Sequence, residues 1–465
     1  MGLNKPGIYD EFKYTGHFWI PNIEKNTVSG TIIFSREGIR LELIGSMNGL
    51  SALDDGNESS NKYPVLFGEC EQGPVTFFDG FEINKRSGYI TTSILVFNKM
   101  IIGKHVASKT DLKINNLTLT FTNLESWFKY HPFVRKFDSN RSVIEVNHTE
   151  IFKVYVKAID ATISSNYTIS TNEDYYKASG YLYRPEIDIN TDDTRDLEWF
   201  ENTSISLRNL LSILMNSPVF VESMIHEENR LQRLYIYSIP FKNYSKKEIE
   251  RYNRMNFDLE KIGEDLDLLL NNWYSSKLTS SHLNYIKNIF DASTLKLEDI
   301  FLNYSKALES FHRDYSSDKG LYVEAEEYNR IVEIMLSSVT SNITPELRNK
   351  LDSTLKHANE FGFQRRIKEL IKMLPVSLRD LILAGQKVQA FSDQVRNNRD
   401  YYTHFGNEPS NLYTSKQLIF MRDKLQIMAL YFLLKALELK EETIIEGIYE
   451  DYYIMQRLKA AEDHF

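Results

Sequence analysis

Arg396-Asn397-Asn398-Arg399-Asp400-Tyr401-Tyr402-Thr403-His404 is the stretch on which the reading of this chain turns, because it closes a long helical pattern with an arginine and a histidine separated by four residues. Upstream, Leu381, Val388, Val395 and Tyr402 recur every seven residues, and Ser377-Leu378-Arg379-Asp380 has the form of a capping box. Gly406 and Pro409 stop the run, so one helix is predicted over residues 377–405. Five residues turn about 500° on an ideal helix, which sets His404 about 140° around the axis from Arg399. The two side chains meet in one chain only if the last turn is irregular, as expected here, or across a partner surface.

The helical reading extends to both sides. Leu418, Met421, Leu425, Met428 and Phe432 mark one face of the next helix, as in an antiparallel hairpin within a bundle. Helices are predicted at 297–315, 323–338, 345–358, 364–373, 377–405, 411–439 and 443–459. The N-terminal part has another grammar. Gly30-Thr31-Ile32-Ile33-Phe34, Ile39-Arg40-Leu41-Glu42-Leu43, Pro74-Val75-Thr76-Phe77-Phe78, residues 90–97 and Leu117-Thr118-Leu119-Thr120-Phe121 are short, rich in β-branched or aromatic residues and bounded by turn formers. The expected architecture is therefore α+β and multidomain. Residues 1–185 form a β-rich, sandwich- or barrel-like domain with a polar loop at 54–61. Residues 186–290 form a connecting region with a helix in 197–227 and a strand in 231–239. Residues 291–465 are all α.

Composition narrows the function. Hydrophobic residues make up 42% of the 465 and aromatic residues 13%, the profile of a folded protein rather than a disordered one. A formal net charge of −9 gives no overall cationic field for nucleic acid. Any such contact is local, and within 372–399 Lys372, Arg379, Lys387, Arg396 and Arg399 outnumber Asp380 and Asp393. The single cysteine, Cys70, leaves neither an intramolecular disulfide nor a cysteine-based zinc cluster, and a cytoplasmic location is expected. Met1-Gly2-Leu3-Asn4-Lys5-Pro6 has no apolar leader core, and the apolar run at 427–434 is too short for a bilayer, so no membrane partner is expected.

A permanent guanidinium charge beside an imidazole that titrates near neutrality suits attack on a phosphodiester, and RNA carries its own nucleophile in the 2′-hydroxyl. His404 is the candidate for proton transfer and Arg399 the candidate donor to the phosphoryl oxygens. Spacing alone does not select them. An arginine followed by a histidine after four to six residues occurs twice more, as Arg141 with His148 in a strand-like run and as Arg457 with His464 at the chain end. The bland alternatives are a C-terminal helix histidine held by the dipole and an arginine in a salt bridge to Asp400 or to Glu408 of a neighbouring chain. Arg396 and Asn397 hold phosphate or orient the helix; Tyr401 and Tyr402 stack on bases or pack in a core; Glu309 and His312 approach the pocket from another helix or simply form its polar face. No phosphate-binding glycine loop, zinc-protease pair or serine elbow is present, and no cofactor or metal is expected.

Val395-Arg396-Asn397-Asn398-Arg399-Asp400-Tyr401-Tyr402-Thr403-His404 resembles the HEPN domain of ApeA-type antiphage proteins, as does Ala307-Leu308-Glu309-Ser310-Phe311-His312-Arg313 upstream. Gly16-His17-Phe18-Trp19-Ile20-Pro21, Gly30-Thr31-Ile32-Ile33-Phe34, Leu41-Glu42-Leu43-Ile44-Gly45 and Phe121-Thr122-Asn123-Leu124-Glu125-Ser126-Trp127 are similar to the β-rich N-terminal domain of the same proteins. The resemblance implies a C-terminal HEPN bundle and metal-independent cleavage of RNA, with tRNA the expected substrate. It further implies a homodimer through that domain, or a higher oligomer, in which Arg and His of both protomers meet. A phage-derived activator and growth arrest during infection complete the picture. The competing expectation is a non-catalytic HEPN dimerisation scaffold whose β-domain senses a ligand.

Overall fold

Val28–Ser35 buries Ile32 and Phe34 while their neighbours stay half exposed, and Gly38–Ile44 buries Ile39, Leu41 and Leu43. Alternation of period two sends every second side chain to one face of a sheet. Here that face is the inside of a barrel. In the computed structural model, which describes residues 6–23, 26–47, 62–138, 141–147, 149–174, 178–229, 232–238, 256–291, 293–315, 320–338 and 343–460, the chain forms two units, Met1–Tyr274 and Ser275–Phe465. The predicted loop at 54–61 lies outside the described residues.

The first unit begins with β1 (Phe12–Trp19), β2 (Val28–Ser35), β3 (Gly38–Ile44), β4 (Lys62–Cys70), β5 (Gly73–Arg86) and β6 (Thr92–Phe97). They pair antiparallel in the order β5-β4-β1-β2-β3-β6, and β6 returns to β5, which closes a six-stranded barrel. Phe18, Ile32, Leu41, Leu66, Phe77 and Phe97 fill it. Gly80 is required by this packing, since a Cβ there would lie 2.1 Å from the Phe97 ring.

β5 is long enough to serve two sheets. Residues 81–86 pair with β6, whereas residues 75–78 pair with β7 (Lys99–Ile102), which leads out of the barrel. There follow β8 (Lys113–Phe121), the short α1 (Leu124–Phe128), a separate hairpin of β9 (Phe133–Asp138) and β10 (Arg141–Val146), then β11 (Lys153–Val156), β12 (Ala161–Asp174), β13 (Ala178–Asp196), α2 (Leu197–Met215), β14 (Val221–Asn229) and β15 (Gln232–Ser238). The outer strands continue the sheet in the order β7-β15-β14-β8-β13-β12-β11. α2 packs on β8 and β13 and buries Leu207, Leu210, Leu211 and Leu214. Two further helices, α3 (Leu259–Ile262) and α4 (Leu266–Ser275), end the unit.

The predicted boundary at 185 falls inside β13, and the segment expected to connect the domains supplies β14 and β15 between β8 and β7 of the same sheet. The 197–227 helix stops at Met215, where Asn216 turns left-handed (φ 47°) and β-branched Val219 and Val221 follow.

The second unit consists of α5 (Thr279–Phe290), α6 (Leu297–Tyr315), α7 (Ala325–Ser338), α8 (Pro345–Ala358), α9 (Phe363–Met373), α10 (Val376–Leu383), α11 (Val388–His404), α12 (Ser415–Ala436), α13 (Glu441–Tyr449) and α14 (Tyr452–Lys459). α12 is its axis. A capping box of Thr414 and Gln417 starts it, and residues 427–434 are all buried, as a helix apolar on every side must be. α6 packs on α5, α9, α11 and α12. α7 and α8 pair with each other, and neither buries a side chain completely.

Two predicted helices are broken. The run at 377–405 divides into α10 and α11 because Ala384 (φ 47°) and Gly385 (φ 81°) turn left-handed, and Pro375 rather than Ser377 stands at the start. Accordingly the buried face of α11 is Phe391, Ser392, Val395 and Asn398, and of the heptad stripe read from the sequence Val395 alone is fully buried. The run at 443–459 breaks before Asp451, whose carboxylate caps Ile454. The final turn of α11 is regular through His404, contrary to the irregular turn expected there.

Candidate functional site

Asn398 sets the rotation of α11. Fully buried, it donates from Nδ2 to the carbonyls of Gln394 (2.9 Å) and Asn411 (3.0 Å) and accepts from the Tyr413 amide at Oδ1 (2.7 Å). These bonds fasten the 405–414 loop along the helix. Asn397 adds a bond to Asn411 (3.2 Å), and Arg396 donates to Asn397 through Nε and Nη2. With the helix fixed in this way, Arg399 meets α6 and α9.

The Arg399 guanidinium donates to Glu309 Oε2 on α6 (3.1 Å) and to Asp400 Oδ1 (3.1 Å), and it lies 5.1 Å from the Phe363 ring centroid on α9. Its side chain is 27% exposed. Two of its five guanidinium N–H groups are so engaged among the described residues. Glu309 also binds Arg313 (3.1 Å), which reaches Glu360 (2.5 Å).

Behind this row lies a triad whose arginine and histidine are buried. Arg366, 1% exposed, donates from Nε to the Phe361 carbonyl (2.8 Å) and from Nη1 to His312 Nδ1 (3.1 Å). His312, 2% exposed, therefore carries its proton on Nε2, which faces Glu369 Oε2 at 2.8 Å. Burial pushes the His312 imidazole below its usual range, and neighbouring Arg366 adds to this while Glu369 opposes it. Gly320, at φ 65°, closes over the triad, for a Cβ there would sit 2.6 Å from Arg366 Nη1.

His404 is the last residue of α11 and is exposed. Among the described residues it forms no hydrogen bond to Arg399, and a five-residue step along a regular helix sets the two apart around the axis. Tyr402 packs edge-on against buried Phe301 (6.1 Å) and against Tyr401 (5.5 Å); burial raises its phenol. Of the other arginine–histidine spacings, His148 and His464 lie outside the described residues. The single helical unit thus brings Arg399 to Glu309, groups His312 with Arg366 and Glu369 behind them, and leaves His404 on a different side.

Sequence reading missed Arg366, Glu369, Glu360 and Asn398. Asn398 had a signal, an amide wedged between two candidate residues. The others had none, because their partners come from different helices.

Elsewhere, the first unit holds a cavity of about 630 Å³ lined in part by Lys99, Lys109, Asp196 and Glu201. Among the described residues no group of three His, Cys, Asp or Glu side chains is placed to hold a metal ion, and no helix is long and apolar enough to cross a membrane.

The family model described as Apea-like HEPN matches residues 302–443, from within α6 to the first turn of α13, which makes the helical unit one of the HEPN class. The chain belongs to the ApeA family: the model described as ApeA N-terminal domain 1 matches residues 13–273, more than half of it. A HEPN domain points to a ribonuclease-type or nucleotide-binding activity in antiphage defence, and such domains typically dimerise and bind RNA. No curated protein and no solved structure matches the chain.

Proposed function

We propose that the chain is a metal-independent endoribonuclease of antiphage defence, acting in the cytoplasm on tRNA or another cellular RNA. Arg399 carries this reading: it is a partly exposed guanidinium oriented by Glu309, with three N–H donors that bind no described residue and can meet a phosphate. His404 accepts the proton of the 2′-hydroxyl while the 2′-oxygen attacks phosphorus. Arg399 donates hydrogen bonds to the non-bridging oxygens as charge builds on the phosphorane. The P–O5′ bond then breaks and the imidazolium returns the proton to the departing oxygen, which leaves a 2′,3′-cyclic phosphate and a 5′-hydroxyl.

Since Arg399 and His404 diverge on one regular helix, the site is completed by a second copy, Arg399 of one chain working with the imidazole of the other. Arg396, Asn397, Asp400, Tyr401 and Tyr402 border the RNA path, and Glu309 and His312 support it from α6. Purified protein incubated with tRNA or total RNA in EDTA is expected to cut it and to leave cyclic phosphate ends. Intact RNA under all conditions overturns the assignment.

The second reading is a dimerisation scaffold that does not cut RNA and whose β-domain binds the ligand. The two carboxylates already on Arg399 and the cavity beside Lys99 and Glu201 favour it. A stable dimer without nuclease activity, binding a small ligand through the first unit, selects this alternative.

A further inference from the structure

The residue directly after His404 is the most exposed large hydrophobic side chain described in the helical unit: Phe405, at 76%. It stands at the C-cap of α11 in the left-handed region (φ 48°, ψ 42°), and its amide donates to the Tyr401 carbonyl at 2.7 Å, which locks it there. Glycine is the usual residue at such a position, and bulky side chains are rare in it. Gly406 comes one place too late to relieve it. Among the described residues with positive φ, Phe405 is the only aromatic one. Water exposure and backbone strain both oppose a phenylalanine here.

Its ring is nevertheless held. Phe405 meets Tyr401 edge-on (centroids 6.1 Å apart), Tyr401 meets Tyr402 (5.5 Å), and Tyr402 meets buried Phe301 (6.1 Å). This ladder of rings runs from the core to the surface and ends beside His404. A ring that touches one neighbour obliquely keeps a face open for a second flat group.

We infer that Phe405 is a stacking platform for an unpaired RNA base next to the cleaved linkage. This rests on the nuclease reading above. Attack by the 2′-hydroxyl requires it to lie in line with the departing 5′-oxygen, a geometry the regular A-form duplex does not present. Unstacked bases in loops and single strands are what aromatic side chains capture. Phe405 turns the flexibility that chemistry demands into a defined position, one residue from the proton-transfer group.

The full-length chain and its Phe405→Ala, Phe405→Leu, Phe405→Trp and Phe405→Gly variants are compared on one oligoribonucleotide, single-stranded or annealed into a duplex. Affinity is read in parallel by fluorescence anisotropy on the 2′-O-methyl single strand, which lacks the nucleophile. Alanine and leucine are expected to raise KM and Kd by about 5- to 150-fold with little change in kcat, while tryptophan restores both. The duplex is expected to stay uncut. Glycine is expected to weaken binding equally and yet raise Tm by about 2–4 °C, because the left-handed strain is relieved.

Four results overturn the platform: a leucine variant that binds like the parent, an alanine variant with unchanged Kd, a glycine variant of lower Tm, or an alanine variant whose subunit number by light scattering has changed. A parent protein that binds the oligomer but never cuts RNA refutes the nuclease reading instead, and the Kd ratios still decide Phe405.

Discussion

Two arginine–carboxylate clusters in the helical unit use the same chemistry to opposite ends. Asp423, fully buried on α12, receives Arg422 at 2.6 and 2.9 Å and Arg457 of α14 at 2.5 Å. Glu309 and Asp400 hold Arg399 at 3.1 Å, and all three side chains keep contact with water. In the first cluster the carboxylate is sealed and Arg457 clamps α14 to the central helix, while Arg422 bonds its neighbour on that same helix. In the second the arginine is shared, longer-bonded and accessible, so an anion can compete for it. Burial of the carboxylate, more than the presence of an ion pair, separates a strut from a site.

The largest expected effect lies in the accessible cluster. Arg399→Ala and His404→Ala should each lower RNA cleavage by at least ~100-fold, yet shift the free energy of unfolding by less than about 1 kcal/mol, since half-exposed pairs contribute little. Initial rates and urea denaturation of the same preparations check both. A loss of stability matching the loss of activity would erase the distinction between the clusters.

Asp423→Ala should behave in reverse and destabilise the helical unit by about 3 kcal/mol, because two arginines lose a desolvated partner. The midpoint of urea unfolding reads this directly, and an unchanged midpoint would make the sealed cluster as dispensable as a surface pair.

A smaller effect is expected from pH. Burial lowers the proton affinity of His312 in the folded chain below its usual 6.5, and Arg366 acts in the same sense. The unfolded chain therefore takes up a proton first as pH falls. The stability linked to neutral His312 is complete above about pH 6.5 and is lost as pH falls from there toward the lower folded value. Thermal melts at pH 7.5 and 5.5 should show the drop, and His312→Asn should reduce it.

The smallest change is expected for Glu309→Gln, which keeps an acceptor for Arg399 and removes the charge that competes with phosphate. Stability should move by less than about 1 kcal/mol and Kd for RNA should fall. A weaker-binding variant would show that Glu309 aids rather than restrains the guanidinium.

How much of this was written in the sequence differs between elements. The bounds 297–315 and 345–358 are those of α6 and α8, because strong amphipathic periods end at clear breakers. The barrel strands were visible as alternating segments, whereas closure was not, because it depends on β5 pairing with both β4 and β6. The division between α10 and α11 was hidden by a seven-residue repeat that a left-handed Ala384 interrupts. Arg399 and His404 were chosen on spacing and context. The Glu309 contact and the Arg366 triad arise from helix packing, which a linear pattern does not encode.

The central claim is that Arg399 and His404 act together across two copies of the chain. Arg399→Ala and His404→Ala proteins, each inactive alone, are unfolded together, refolded as a mixture and assayed on single-stranded RNA in EDTA. If the site is shared between copies, half of the dimers are mixed and each keeps one complete site, so about a quarter of the parent activity should return. A mixture that stays as inactive as either variant, under conditions where the refolded parent cuts RNA, would contradict the account.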